Sequence, residues 1–391
     1  MHILIISSEP YLIPTVPLGG IFQQHQAMAL HGHGMRVGVA SGGLLPLRDL
    51  LSFRGRPRRE LQSGVAIARR FRKSVLPLRF CRPGHVDQIN VGELTAAVEQ
   101  YMRDNGRPDC IHAHNLQYAG IVAAQVAERH RIPFVITEHN SSFLTGSYPQ
   151  ALAPQFAQAL RASACNIAVS SALAKRLNVL FGKLAQPFMV VPNVIETDFA
   201  GAVVAAPPGP FTFLSIGRLD TNKNHALLLR AFAAAFKGQP VLLRIGGHGH
   251  EQARLRTLAD DLGIARQVTF LGLLSRQAVA SEMTGAHCFV LPSIKETFGV
   301  VVIEALSFGM PVIAAPSGGP GDIIDDANGI ITADHADHTM ADALRTMREH
   351  YGRYDRHAIA RATVERFSPR AFCSVMAAIY QTAASTTKDK A

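Results

Sequence analysis

The chain has 391 residues, of which 48% are apolar, 32 are glycine and 22 are proline. Single hydrophobic cores stop growing at about 250–300 residues, so this length predicts two domains, and the composition excludes disordered, collagen-like and low-complexity proteins. Five cysteines without a Cys-x-x-Cys pair indicate neither a disulfide framework nor a zinc ribbon, and they favour a reducing, cytoplasmic compartment. The first ten residues lack a basic leader, and no apolar run reaches about 18 residues, so we expect neither a signal peptide nor a membrane span.

Short apolar runs that are typical of buried parallel strands alternate with helical patterns along the chain. This alternation predicts an α/β protein with two Rossmann-like, doubly wound domains facing across a cleft, residues 1–200 and 201–368. A final helical pattern over 369–385 fits packing on either domain, including a return to the first. The strand patterns lie at 2–7, 35–41, 110–114, 134–139, 166–170 and 188–192 and, after the proline-rich linker 205–210, at 212–216, 241–245, 268–271, 287–291, 312–315 and 330–332; the helical patterns include 21–31, 94–105, 119–130, 224–236, 251–262 and 300–308.

The formal net charge of +10 is concentrated in one stretch of the first domain. From Arg48 to Arg82 there are ten arginines and one lysine against two acidic residues, Asp49 and Glu60, a local net charge of +9. Such a cluster suits nucleic acid, an anionic membrane surface or an anionic acceptor, and it also occurs on ordinary solvated surfaces. Residues 43–85 also interrupt the strand–helix alternation, so we expect a loop-rich or antiparallel insertion there.

Ligands of open α/β sheets bind beyond the carboxyl ends of the strands, so the residues that follow each strand are the candidates. After the first strand, Gly19 and Gly20 precede a helix, where a backbone without side chains can approach an anion; an ordinary turn is the alternative. After the strand at 134–139, His139 can donate a hydrogen bond to a sugar hydroxyl or brace the backbone. His112 and His114 share one face of their strand, but no carboxylate or cysteine completes a recognisable metal-ligand spacing with His139.

Two cations follow the first strand of the second domain. Gly217 and Arg218 come at the strand end and Lys223 lies at the start of the next helix, so a guanidinium, an ammonium and a positive helix end converge. This convergence predicts a pyrophosphate clamp, against the alternative of two surface side chains. Gly247 follows the next strand, in a turn that either borders the phosphates or is an ordinary turn.

The strongest local signal is a pair of acidic residues around one helix start. Glu296 lies in the loop before the helix and Glu304 lies within it, among apolar residues where a charge needs a partner. Carboxylates accept paired hydrogen bonds from neighbouring hydroxyls, so these two can hold a sugar ring and a ribose at either end of a diphosphate. The amides between them belong to Thr297, Phe298, Gly299 and Val300.

The motifs LGGI, TEH, GRLDTNKN, GGHGHE, ETFGVVVIEAL and PVIAAPSGG, in this order, resemble the retaining GT-B glycosyltransferases of family four, the glycosyl transferases group 1. The resemblance covers essentially the whole chain, and its most specific part runs from Leu291 to Gly319. The chain departs from the family pattern after Asn193, where the usual glycine is replaced by Val194, so Asn193 receives no role.

The resemblance implies a role for each candidate. Arg218 and Lys223 neutralise the diphosphate of a UDP- or GDP-sugar, Glu296 with the amides of Phe298 and Gly299 holds the donor sugar, and Glu304 binds the ribose. His139 and Gly20 approach the donor from the first domain. The base rests against the backbone near Leu271 and Leu273, and Gly217, Gly247, Thr297 and Val300 complete the donor-binding set.

The residues themselves agree with metal-independent transfer. Fixed cations that stabilise the leaving group are a large term in such a reaction, and the chain contains no Asp-x-Asp pair of the kind that holds Mg²⁺ for this purpose. Retaining hydrolases use a carboxylate nucleophile, but no carboxylate is obviously placed for that role here. The resemblance implies a retaining hexosyltransferase, and the missing Asp-x-Asp pair leads us to expect that it works without metal or cofactor.

For the acceptor we expect a glycan or a lipid-linked cell-envelope intermediate of polysaccharide biosynthesis, with the protein cytoplasmic and peripheral on an anionic membrane through Arg48 to Arg82. A nucleotide-sugar epimerase or a phosphorylase on the same scaffold is the enzymatic alternative, since function belongs to sites rather than folds. A basic nucleic-acid-binding protein is the non-enzymatic alternative. It is disfavoured by the absence of a recognisable binding motif and by an aromatic content of 7% without tryptophan.

Overall fold

A computed structural model describes residues 1–11, 20–45, 58–62, 64–73, 83–183, 186–195 and 207–388. Gly19, most of the basic stretch from Arg48 to Arg82 and the first part of the linker lie outside these residues. The chain divides into two compact units. Unit 1 contains Met1–Val169, Leu173–Val194 and Pro369–Ala391, and unit 2 contains Ser170–Ala172 and Ile195–Ser368. The boundary expected between residues 200 and 201 falls within 196–206, which the structure does not describe.

Unit 1 is built on an eight-stranded sheet in which seven strands are parallel. The strand order is β3-β4-β2-β1-β5-β6-β7-β8, and only the pairing of β3 with β4 is antiparallel. The elements are β1 (His2–Ser7), α1 (Ile21–Gly32), β2 (Arg36–Leu45), β3 (Arg58–Gln62), β4 (Val65–Lys73), α2 (Pro83–Asn105), β5 (Cys110–His114), α3 (Ile121–His130), β6 (Phe134–Glu138), α4 (Ser142–Thr145), α5 (Ala153–Ala162), β7 (Cys165–Ala168), α6 (Ser171–Phe181) and β8 (Met189–Val190).

The insertion expected at residues 43–85 is partly a continuation of the sheet. β3 and β4 form an antiparallel pair, as an insertion would, but β4 also pairs with β2 in parallel over Gly38–Leu45 and Ala66–Lys73. The expected antiparallel pairing is therefore present, and β4 in addition extends the parallel sheet, with alternating buried residues that cover one of its faces.

The last helix, α13 (Pro369–Lys388), belongs to unit 1. Its buried side chains share a core with the central strands, and they include Phe372, Met376 and Tyr380 packed with residues such as Ile3 and Val39. The apolar face of this helix is thus covered by the sheet that begins at the other end of the sequence.

Unit 2 is a six-stranded, wholly parallel sheet in the order β11-β10-β9-β12-β13-β14. Its strands are short and nearly continuous in apolar residues, as expected for strands covered by helices on both faces. The elements are β9 (Phe211–Ile216), α7 (His225–Phe236), β10 (Val241–Gly246), α8 (Gln252–Asp261), β11 (Val268–Gly272), α9 (Arg276–Thr284), β12 (Cys288–Leu291), α10 (Val300–Ser307), β13 (Val312–Ala314), β14 (Gly329–Ile331), α11 (Asp337–Glu349) and α12 (Arg356–Phe367). The prediction of two doubly wound α/β domains is confirmed.

Candidate functional site

In unit 2, the loop after β9 and the loop after β12 are fastened together by Asn222. Its backbone carbonyl accepts from the N–H of Ile294 at 2.8 Å, and its side-chain amide exchanges hydrogen bonds with the backbone of Lys295. The second loop is in turn fixed to the loop after β13, because Glu296 donates its N–H to the carbonyl of Ser317 at 2.9 Å. The loops at the carboxyl end of this sheet therefore form one connected layer.

Lys223 and Glu296 meet within this layer. Lys223 Nζ lies 2.5 Å from Glu296 Oε2, and both side chains are mostly buried, with 22% and 15% of their surfaces exposed. The neighbouring His225 carries no charge at pH 7, because burial, reinforced by the charge of Lys223, lowers its pKa to about 4. The cation and the first acidic residue that the sequence singled out thus form an ion pair.

Arg218 lies on the same loop but points into solvent. Its side chain is 79% exposed, and its guanidinium contacts Asp220 Oδ2 at 2.7 Å. The other carboxylate oxygen of Asp220 accepts the backbone N–H of Lys223 at 3.0 Å. Asp220 therefore links the two predicted clamp residues without bringing their charged groups into contact with each other.

Glu304 is buried in α10 and is paired, as a buried charge requires. Its side chain is 6% exposed, and Oε1 accepts from Arg276 Nη2 at 2.9 Å. Arg276, the first residue of α9, is 42% exposed, so the pair joins an interior carboxylate to the surface.

The start of α10 combines a backbone turn with free amides. Gly299 precedes the first helical residue, Val300, with φ at +92°, a conformation that favours glycine. Phe298 is buried at 2% exposure and anchors the turn, which leaves Thr297 half-buried beside Glu296. The first N–H groups of a helix have no partner within the helix and attract anions and hydroxyl oxygens.

Gly217 and Gly247 of the predicted donor set lie so close together that a side chain on Gly247 would clash with the backbone of Gly217. A Cβ on Gly247, which has φ at +135°, would stand 1.8 Å from the carbonyl oxygen of Gly217. Gly247 also donates its N–H to Gly272 at 2.8 Å, at the end of β11. Next to that point, Leu271 is half-buried, whereas Leu273 is 81% exposed although its side chain is wholly apolar.

In unit 1, Gly20 immediately precedes α1 with φ at +72°. A Cβ there would lie 3.0 Å from the ring of Tyr11, so the left-handed backbone and the close aromatic ring both favour glycine. Gly19, its predicted partner, lies outside the described residues.

His139 follows β6 and forms a pair with His114. His114 Nδ1 lies 3.0 Å from His139 Nε2, and the two rings are within 11° of parallel. His139 Nδ1 is covered as well, so neither ring nitrogen is open to solvent in this arrangement. Burial lowers the pKa of His139 to about 4, which the neighbouring Asn193 side chain partly offsets, and burial lowers the pKa of His114 still more clearly.

A third histidine, His112, extends this cluster toward the C-terminal helix. The ring centroids of His112 and His114 lie 4.2 Å apart, and His112 is held by Tyr380 Oη and Thr137 Oγ1, each at 2.7 Å. Burial lowers the pKa of His112 to about 3. All three rings are therefore neutral at pH 7. No group of three or more metal-ligating residues with suitable geometry occurs in the described part of the chain.

Glu138 fixes the loop that carries His139. The carboxylate is fully buried and accepts three backbone N–H groups, from Leu116, His139 and Asn140, at 2.7 to 2.9 Å. Burial raises its pKa to about 7, and these hydrogen bonds oppose the shift.

Sequence reasoning missed several partners that shape these sites. Arg276 pairs with Glu304, Asp220 links Arg218 to Lys223, and Asn222 joins two loops. Asn193, which received no role, accepts from Gln26 Nε2 at 3.3 Å and lies beside His139. Asp220 lies within the GRLDTNKN motif, two residues from Arg218 and three from Lys223, so its position gave a local signal that was not used. Arg276, Asn222 and Asn193 reach their partners across long sequence separations, which no local spacing indicates.

Two family models match consecutive parts of the chain. Glycosyltransferase Family 4 matches residues 24–199, and Glycosyl transferases group 1 matches residues 197–363. The first match falls mainly on unit 1 and the second mainly on unit 2, where Lys223, Glu296 and Glu304 lie.

Curated relatives carry related names. The chain is 32% identical over 287 residues to a D-inositol 3-phosphate glycosyltransferase of Rhodococcus erythropolis, which covers 65% of this chain and 64% of that protein. It is 28% identical over 327 residues to D-inositol 3-phosphate glycosyltransferase 2 of Catenulispora acidiphila, covering 73% and 76%. The match thus spans somewhat less than two thirds of the length of the Rhodococcus relative.

Solved structures share the fold at low identity. A sucrose-phosphate synthase from Thermosynechococcus elongatus matches with a TM-score of 0.78 at 20% identity, over 97% of this chain and 98% of that chain. Anabaena HepE in complex with UDP matches with a TM-score of 0.73 at 20% identity, over 98% and 100%. None of the described helices is both long enough and apolar enough to cross a membrane. With both halves matched by adjoining glycosyltransferase models and the fold matched over nearly its full length, the chain has the GT-B fold and is similar throughout to the glycosyltransferases of family four.

Proposed function

We propose that the protein transfers a sugar from a nucleotide-diphosphate sugar to a hydroxyl group of an acceptor, with retention of anomeric configuration. The observation that carries this proposal is the Lys223–Glu296 contact in the layer of loops that precedes α10. A cation for phosphate, a carboxylate for hydroxyls and unpaired helix amides occur together there, and an activated sugar presents these same groups.

The donor is bound by unit 2. Lys223 and Arg218 stabilise the diphosphate, and Glu296 with the amides of Thr297 to Val300 binds the sugar hydroxyls. Glu304 accepts from the ribose hydroxyls, a role supported by its place in the same helix. Leu273 is an exposed apolar side chain beside the backbone of Leu271 and suits contact with the base, while Gly217 and Gly247 let the backbone approach the phosphates.

We also assign His139 and Gly20 of unit 1 to the binding of the donor sugar and its diphosphate. Since His139 Nε2 faces His114 and Nδ1 is covered, His139 reaches a ligand only after a local shift of its ring. His139, Arg218, Lys223 and Glu296 are the residues to which we assign catalytic roles.

In the reaction, the bond between the anomeric carbon and the diphosphate oxygen breaks, and the acceptor oxygen forms a bond on the same face of the sugar. The departing phosphate oxygen takes the acceptor's proton, so atoms and charges balance without a protein nucleophile. Lys223 and Arg218 stabilise the negative charge that develops on the leaving group, which is the term that fixed cations supply in such transition states. We propose no metal and no cofactor.

The experiment is a screen of UDP- and GDP-sugars by thermal shift, followed by release of the free nucleotide with and without acceptor. A donor that binds only the folded chain raises its melting temperature by mass action. Nucleotide release that depends on acceptor supports transfer. Interconversion of the nucleotide sugar without acceptor would instead support an epimerase.

Two acceptor classes have separate support. The relatives' names refer to D-inositol 3-phosphate, so a phosphorylated polyol is one class. The other class is a lipid-linked glycan at the cytoplasmic face of an anionic membrane, and the positive charge from Arg48 to Arg82 supports it. Each basic residue near such a surface contributes about 1 kcal/mol to the free energy of membrane binding. Co-sedimentation with anionic and with neutral vesicles tests whether the protein docks on an anionic membrane. Equal binding to both kinds of vesicle, or no binding to either, would reject membrane docking.

A further inference from the structure

Unit 1 contains a cavity of about 340 Å³ between the end of β4 and the first half of α2. It lies at the carboxyl edge of the sheet, where ligands of α/β proteins bind, because Arg70–Lys73 are the last residues of β4. The side chains and the glycine that give it its chemistry are Arg70, Arg72, His85, Gln88, Gly92 and Glu93.

Two arginines are held side by side in this cavity. Arg70 and Arg72 alternate along β4, so they point to the same face, and Glu93 of α2 accepts from both. Arg70 Nε lies 2.8 Å from Glu93 Oε2, and Arg72 Nη2 lies 2.9 Å from Glu93 Oε1. Glu93 is 9% exposed, whereas the arginines are 42% and 61% exposed, so a buried carboxylate orients two guanidinium groups that remain accessible.

This arrangement suits an oxyanion. Each guanidinium has five N–H donors, so the single carboxylate of Glu93 cannot accept from all ten N–H groups of the two arginines. The three side chains sum to one positive charge, and His85 on the rim adds another donor. Planar guanidinium forks match the oxygen spacing of phosphate, which makes a phosphoryl group the best-fitting ligand.

Gly92 supports a binding site in this cavity independently of the two arginines. It lies inside α2, where glycine is one of the least favourable residues for a helix. A Cβ at Gly92 would meet nothing within 4 Å, so packing does not require the glycine. Its effect is to leave the helix wall of the cavity without a side chain.

The cavity and Gly20 lie at the same carboxyl edge of the same sheet. In the sheet, β4 is two strands from β1, which corresponds to about 10 Å between strand axes. The chain segment after β1 ends at Gly20, the residue assigned to the donor diphosphate.

We propose that the cavity between β4 and α2 binds the phosphoryl group of the acceptor through Arg70 and Arg72. This inference rests on the proposed glycosyl transfer, and it narrows the acceptor to a phosphorylated molecule. The same chemistry is available from a soluble polyol phosphate and from a phosphorylated lipid headgroup.

The test measures binding of sn-glycerol 3-phosphate to the full chain by calorimetry, with glycerol as the uncharged comparator. Arg72→Gln should weaken binding at least tenfold, and Arg72→Lys should recover part of it, because the charge returns without the planar fork. Gly92→Leu should abolish binding by filling the cavity while preserving helix content. Arg129→Gln is the matched control, since Arg129 pairs with Glu99 of the same helix at 2.9 Å.

Binding that is absent in the wild type, or that Arg72→Gln and Arg129→Gln weaken equally, would overturn the proposal. Thermal shift with UDP and GDP on the same variants reports on the donor site separately. If neither nucleotide binds, the proposed transfer fails; if one binds normally while glycerol 3-phosphate does not, only the acceptor inference fails.

A second arm identifies the source of the phosphate. Vesicles of phosphatidylcholine with and without phosphatidic acid are sedimented with the wild type and with Gly92→Leu. Binding that requires phosphatidic acid and is lost in Gly92→Leu supports a lipid headgroup in this cavity. Binding of glycerol 3-phosphate without vesicle binding supports a soluble acceptor.

Discussion

The ammonium of Lys223 and the carboxylate of Glu296 are each other's partners at 2.5 Å, although 73 residues of sequence separate them. A diphosphate that binds Lys223 competes with Glu296 for it. In the proposed donor complex the sugar would offer hydroxyl donors to Glu296 at the same time, so that Lys223 and Glu296 would each exchange one partner for another and neither would be left as an isolated buried charge.

Lys223→Ala should lower kcat about 100-fold or more, because it removes a fixed cation from the leaving group. The measurement is steady-state nucleotide release with the donor found in the thermal-shift screen. Lys237→Ala, at the exposed end of α7, is the control and should leave kcat unchanged. A Lys223→Ala enzyme with near wild-type turnover would remove this residue from the clamp.

Activity should survive treatment with EDTA. Under the proposed mechanism, Lys223 and Arg218 supply the charge that Mg²⁺ provides in transferases with an Asp-x-Asp pair, which this sequence lacks. The assay compares initial rates before and after dialysis against the chelator. A rate that falls to background and returns with Mg²⁺ or Mn²⁺ would contradict the expectation.

The histidine cluster of unit 1 should make stability depend on pH. The pKa of His112 is lowered to about 3, so below pH 6.5 the unfolded chain takes up a proton that the folded chain does not. This contribution to stability is complete above pH 6.5 and is lost as the pH falls toward 3. Glu138, with its pKa raised to about 7, makes the free energy of unfolding change with pH in the opposite direction between pH 4.5 and 7. The contribution of His112 is therefore measured as the difference in stability between the wild type and a variant that lacks it.

We therefore compare the wild type with His112→Asn by urea unfolding at pH 7.0, 6.0 and 5.0. The stability advantage of the wild type should shrink below pH 6.5, approaching about 1.4 kcal/mol per pH unit. Both proteins share Glu138, so its slope cancels. An advantage that stays constant over this range would show that His112 titrates normally in the folded state.

Tyr380→Phe should destabilise unit 1 by about 1 kcal/mol or more, because it leaves His112 Nδ1 without its 2.7 Å hydroxyl partner in a buried site. Tyr148→Phe, a half-buried tyrosine of the same unit, is the control for loss of a hydroxyl. The free energies of unfolding of both variants are measured at pH 7. Equal changes in the two would indicate that the Tyr380–His112 contact contributes nothing specific.

Much of this architecture follows from local pattern. Apolar runs of strand length predict the two sheets. The rule that ligands lie beyond strand ends selects Lys223, Glu296 and His139; in the structure Lys223 pairs with Glu296, and His139 pairs with His114. The partners Arg276 and Tyr380 could not be selected, because they reach their sites through packing between elements far apart in sequence. The length of α2 was also underestimated: its helix begins at Pro83, a residue that suits a first helical turn but hides the pattern that follows.

The return of α13 to unit 1 has a consequence for biosynthesis. Residues 195–368 are contiguous, so unit 2 can complete its fold as soon as it has been translated, whereas the core of unit 1 lacks Phe372, Met376 and Tyr380 until the final segment leaves the ribosome. Unit 1, although it is synthesised first, therefore completes its core last, and the apolar surface that α13 covers stays open while unit 2 is translated.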